Sequence, residues 1–189
     1  MLLPAAAQTT TSATMTRPAT ISQRKENQQD RIAQGVESGQ LTAGETANLE
    51  KKESNLSKEE KLMRSEDNGK LTSADRSALT QQQNQLSNKI YQDKHNAAAQ
   101  NSNPTSAVGK RAENQQDRIA QGVKNGQLTA GETANLEKKE ANLNKEVSAD
   151  RKANGGRLTQ AEKAQVNRQQ NHLSNQIYKD KHGSFRQRP

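Results

Sequence analysis

A chain of 189 residues with 28% hydrophobic and 2% aromatic content has material for one or two small domains and only thin cores. Its 26% of charged residues sets it near the composition of disordered chains, so any folded part must declare itself through periodicity. The absence of cysteine excludes disulfides, thiolate nucleophiles and cysteine metal sites, and no apolar run approaches the roughly 18 residues of a membrane span.

The chain opens on Met1-Leu2-Leu3-Pro4-Ala5-Ala6-Ala7-Gln8, a few apolar residues with an Ala-x-Ala pattern ahead of a Thr/Ser-rich stretch. This reads as the end of a secretory signal and places the protein in the periplasm or outside a bacterial cell; without export it is cytoplasmic. Residues 1–22 otherwise lack pattern and are expected to be disordered. Three helices are predicted next, over 22–37, 43–65 and 73–94, in segments rich in Glu, Lys, Gln, Ala and Leu and free of proline. Their apolar residues fall four or seven apart, as in a coiled coil: Ile32 and Val36, then Leu49, Leu56 and Met63, then Leu79, Leu86 and Ile90. Helices this polar are marginal alone, so the three stripes are expected to pack together, with Leu41, Leu71 and Tyr91 closing the seam.

The whole pattern then returns. Gly39 to Glu53 recurs unchanged as Gly126 to Glu140, and the register holds without a gap from Arg24–Asn96 to Arg111–Gly183. The expected organisation is therefore an all-α protein of two tandem three-helix units, 23–96 and 111–183, joined by a flexible polar linker over 97–110 and followed by a basic tail, 184–189. Inside each unit a shorter motif appears twice, at Gly39-Gln40-Leu41-Thr42-Ala43-Gly44-Glu45 and Gly69-Lys70-Leu71-Thr72-Ser73-Ala74-Asp75, then again from Gly126 and Gly156. Glycine closes the preceding helix, threonine caps the next and the acid three residues on completes a capping box.

Gly-x-Leu-Thr-x-x-Glu resembles the second half of an EF-hand calcium loop, and the resemblance implies a helix-loop-helix pair. It implies calcium only where oxygen ligands occupy the first, third and fifth positions. The first loops offer Gln34, Val36 and Ser38, or Gln121, Val123 and Asn125; the second begin with Arg64 or Arg151. No cofactor or metal is expected, and Glu66 and Asn68 with Asp75 are the only weak calcium candidates. The unit as a whole resembles uncharacterised exported bacterial proteins with tandem helical repeats of the pattern Asn-Gln-Gln-Asp-Arg-Ile, Gly-Gln-Leu-Thr-x-Gly-Glu and Ile-Tyr-x-Asp-Lys-His. That resemblance implies export and a helical fold and supplies no activity.

Each unit ends on Ile-Tyr-x-Asp-Lys-His, where tyrosine is expected on the seam while Lys94 and His95, or Lys181 and His182, complement the negative end of the last helix. Asp and His two apart do not share a helix face, so a metal or pH-responsive contact is the weaker reading. No nucleophile, base and orienting acid form a set, and no glycine-rich loop joins a strand to a helix, so no enzymatic activity is expected. The net charge of +8 is uneven: residues 24–96 carry 12 cationic and 12 acidic side chains, residues 111–183 carry 13 and 9. A duplicated polyanion binder should be basic in both copies and single-strand binding needs aromatics, which argues against nucleic acid. The copies agree in polar positions that a seam does not require, Asn27, Gln28, Gln29, Asp30 and Arg31 and their counterparts Asn114, Gln115, Gln116, Asp117 and Arg118, with Asn84, Ser87 and Asn88 in the third helix. These form the predicted interaction surface, on which the first and third helices face either a shared partner or each other. The leading expectation is a non-enzymatic, exported binding or structural module with an unknown protein or envelope partner. The alternatives are an electrostatic binder of anionic polymer or membrane surface through the second unit and tail, and a weak calcium binder.

Overall fold

The computed structural model describes residues 19–98 and 104–183. Among them the chain is all-α, six helices without a strand: α1 (Ile21–Glu37), α2 (Ala43–Glu66), α3 (Ser73–Lys94), α4 (Ala107–Lys124), α5 (Ala130–Ala153) and α6 (Gln160–His182). Two expected boundaries move. Thr20 caps α1, so residues 20–22 are not a disordered leader, and α4 starts at Ala107, so residues 107–110 belong to a helix rather than to the linker. The reason is the same at both places: Gln83 Nε2 donates to the Ile21 carbonyl and Gln170 Nε2 to that of Val108, tying each first turn to the third helix of its unit. The signal-like start and the basic tail lie outside the described residues.

The capping chemistry read from sequence is in place. Thr42, Thr72, Thr129 and Thr159 each accept the backbone N–H three residues on, while Glu45, Asp75, Glu132 and Glu162 accept the cap's own N–H. Gly39 and Gly126 take the left-handed conformation that ends α1 and α4, with φ of 69° and 63°. The chain then folds back, so that Leu41 N–H donates to the Gly35 carbonyl at 2.9 Å and its side chain lies directly over Gly35.

Within each unit the stripes meet as the spacing predicts. Ile32, Leu49, Leu79, Leu86 and Ile90 form one buried cluster with Leu41 and Leu71. Tyr91 and Tyr178 depart from expectation: both are 60% exposed. Ile90 and Ile177 occupy the buried stripe, and the next residue along a helix points about 100° away from it.

The units do not stand apart on a linker. α2 lies along α5 over more of its length than along either helix of its own unit, and α1 packs on α4. Gly131 near the start of α5 sits beside Ser54 in the middle of α2, Glu50 faces Glu137, and Glu37 faces Asp117, so equivalent helices cross antiparallel. Ala120 completes the apolar cluster of unit 1 and Ala33 that of unit 2. This reciprocity is that of an isologous dimer about a two-fold axis, here joined into one chain.

Candidate functional site

The predicted interaction surface is largely an internal seam. Gln28, Gln29, Gln115 and Gln116 are buried, Arg31 and Arg118 half-buried, and only Asn27, Asp30, Asn114 and Asp117 face outward. Gln28 Nε2 donates to the Gln83 carbonyl at 2.6 Å and to Ser87 Oγ at 2.9 Å, and Arg31 donates to the Ser87 carbonyl at 3.0 Å. Unit 2 repeats these bonds through Gln115, Gln170, Ser174 and Arg118. The recurring residues of the first and third helices thus face each other and hold α1 on α3, and α4 on α6. Gln28→Ala should cost about 2 kcal/mol, since it removes the buried bonds to the Gln83 carbonyl and Ser87 Oγ and leaves a cavity. A denaturant midpoint unchanged by that substitution would place Gln28 outside the seam.

The calcium candidates have other tasks. The Asp75 carboxylate accepts from the N–H and the hydroxyl of Thr72 at 2.8 and 2.6 Å, bonds that hold its pKa below the usual value. Asn68 is spent on backbone geometry, at φ 51°, and Glu66 is exposed. Arg64 donates to the Gly69 carbonyl and to Glu60, laying a guanidinium across the loop where a cation would sit. In unit 2, Asn154 donates to both carboxylate oxygens of Glu162. Among the described residues no three His, Asp or Glu side chains are grouped so that they could hold a metal ion.

Four glutamates of α2 and α5, which the sequence reading did not single out, are buried. Glu50 and Glu137 are 0% exposed, Glu53 1% and Glu140 0%. Gln29 donates to one oxygen of Glu50 at 3.0 Å and Gln116 to one of Glu137 at 2.8 Å. The other oxygen of each, Oε2 of Glu53 and both oxygens of Glu140 meet no donor among the described residues. Burial, only partly offset by Gln29 and reinforced by Glu53, pushes Glu50 up to about 8. Burial likewise raises Glu137, with Glu140 and Glu50 adding to it, and brings Glu53 and Glu140 to about 7. The available signal was spacing: Thr46, Glu50 and Glu53, and likewise Leu49, Glu53 and Leu56, follow one another at four and then three residues along one helix face.

A second feature also escaped the sequence reading. Tyr91 stacks on His95 with ring centroids 4.1 Å apart, and Tyr178 on His182 at 4.2 Å, both exposed at the ends of α3 and α6. Each histidine Nδ1 lies 2.7 Å from the carbonyl of its tyrosine. Two equivalent aromatic corners are thereby displayed, one per unit. Between the units a cleft of about 1170 Å³ is lined by Lys145, Arg151, Arg157 and Lys163 together with Glu37, Glu113 and Asp117.

Compared with protein-family models, curated proteins and solved structures, the chain matches none.

Proposed function

We propose that the protein is a non-enzymatic binding module of the bacterial envelope, in which two fused copies present the same contact twice. The observation that carries this reading is the pair of exposed Tyr–His corners in a chain with 2% aromatic residues. An exposed tyrosine offers a large, rigid, amphipathic contact area at little entropic cost, which is why tyrosines concentrate in interfaces. The recurring polar residues support the reading by elimination, because the side chains of Gln28, Arg31, Thr42 and Glu45 are occupied in holding helices together or capping them. Export rests on the signal-like start at Met1 to Ala7.

A photoreactive amino acid placed at Tyr91 or Tyr178 in producing cells tests the reading. Both positions should give the same cross-linked partner, while the exposed Lys61 should not. Adducts at neither corner, or identical adducts at Lys61, would overturn it. Fractionation of the same cells, with mass measurement of the mature amino terminus, tests export.

A second reading, a binder of anionic polymer, has one specific observation in its favour. The four cations of the cleft recur in unit 1 as Lys58, Arg64, Lys70 and Arg76, so positive charge is kept where the copies otherwise diverge. Binding to heparin that weakens steeply with salt, and is lost on replacing Arg157 and Lys163 with glutamine, would favour it over the aromatic corners.

A further inference from the structure

Glu50 and Glu137 come together where α2 crosses α5, the most extensive contact between the two units, and neither reaches solvent. Few charges stand against them. From α1 the group is faced by Lys25 and by the Gln29 amide, and along α2 by Glu53 and Glu60. From α4 it receives the Gln116 amide, and along α5 it meets Glu140. The position in α4 equivalent to Lys25 is Ala112, so the second copy supplies no matching cation. Among the described residues one lysine thus stands against four buried carboxyl groups. A carboxylate without a counter-charge is costly in a dry interface, whereas a neutral carboxyl packs there as a polar side chain of similar shape.

We propose that this carboxyl cluster is a proton-operated clasp between the two halves of the chain, closed while Glu50 and Glu137 carry protons and opened when they ionise. Each half keeps its own apolar cluster apart from the reciprocal alanines Ala120 and Ala33, so opening separates the units along α1–α4 and α2–α5 without melting the helices. The direction of the pKa displacements agrees: burial raises all four groups, two of them to about 7 and Glu50 to about 8, which puts the transition in the neutral to mildly alkaline range. The inference stands independently of the Tyr–His reading. Should both hold, opening would change the spacing of the two corners, since these ride on α3 and α6.

The test uses the full chain and its lack of cysteine. Spin labels attached through Asn88→Cys on α3 and Asn175→Cys on α6, both exposed, report the distance between the units. At about pH 5 one narrow distance is expected, giving way to a longer, broader population as the pH is raised through about 7 to 8, with helical circular dichroism retained. Glu50→Gln with Glu137→Gln should keep the narrow distance up to about pH 9. The proposal is overturned if the native-sequence chain keeps one distance to that pH, if helicity disappears together with the distance, or if the double variant opens like its parent. Should the double variant not fold, the titration of the chain bearing only the labels decides by itself.

Discussion

Thermal stability is expected to fall as the pH is raised from about 5 to about 8, the reverse of what paired surface carboxylates produce. The sign follows from the raised pKa values of Glu50, Glu53, Glu137 and Glu140. A carboxyl whose pKa is higher in the folded chain binds its proton more tightly there than in the unfolded chain. Its contribution is therefore fully present below the unfolded value of 4.5 and is lost as the pH rises through the folded values of about 7 to 8. A rise from 4.5 to about 7, as at Glu53 and Glu140, corresponds to on the order of 3 kcal/mol per group. Even part of that sum should lower the Tm by on the order of ten degrees. Glu50→Gln should leave the Tm near pH 5 little changed and raise it near pH 8, because the glutamine has nothing to ionise. Differential scanning calorimetry across this range checks both statements, and a Tm that rises with pH would refute them. On the acid side the capping carboxylates Glu45, Asp75 and Glu162 act oppositely. At Glu45 burial is outweighed by hydrogen bonds from Thr42 and Asn96, and at Asp75 and Glu162 the bonds from the caps lead, so all three pKa values are lowered and their contribution is present above the unfolded values and lost as the pH falls through the folded ones.

The second large effect is steric. A Cβ on Gly35 would stand 2.6 Å from both Cγ and Cδ1 of Leu41, a residue fully buried and tethered by its N–H to the Gly35 carbonyl. Leu41 has nowhere to go, so Gly35→Val should destabilise the chain by about 3 kcal/mol, although valine is the better helix former. Gly122 meets Leu128 at the same 2.6 Å and should behave alike. Gly44 is the control. Nothing lies within 4 Å of the Cβ that would be added there, so Gly44→Ala should stabilise α2 by up to about 1 kcal/mol. Urea midpoints for these variants separate the two kinds of glycine, and equal shifts of the same sign would contradict the close approach at Gly35.

Much of the fold is legible in the residues. The Gly-x-Leu-Thr-x-x-Glu/Asp motifs mark where helices end and begin, and α2 and α3 start at Ala43 and Ser73, where the cap pattern puts them. Apolar spacing identifies Ile32, Leu49, Leu79 and Ile90 as core. What the sequence does not display is the pairing of the copies. Glu50 and Glu53 sit beside Lys51 and Lys52 and have the composition of a solvated face, and they are dry only because α5 and its neighbours cover them. A one-dimensional repeat says that two units are alike, not which side of each they turn toward the other. The candidate interaction residues illustrate the same limit. The recurrence of Gln28 and Arg31 correctly marks a contact without saying which of two partners it serves, and that partner is the third helix of their own unit. The exposed Tyr91 is missed because the apolar stripe is satisfied one residue earlier, at Ile90.

Direct proof of the paired arrangement lies in a cross-link between the units. A Cβ at Gly131 would lie 3.4 Å from Ser54 Oγ, a spacing suited to a disulfide. In the otherwise cysteine-free chain, Ser54→Cys with Gly131→Cys should close an intramolecular disulfide under mild oxidation near pH 6, seen as the loss of two thiols with the monomer mass retained. Two thiols that stay free in the folded monomer, or that link only separate chains, would contradict the packing of α2 on α5.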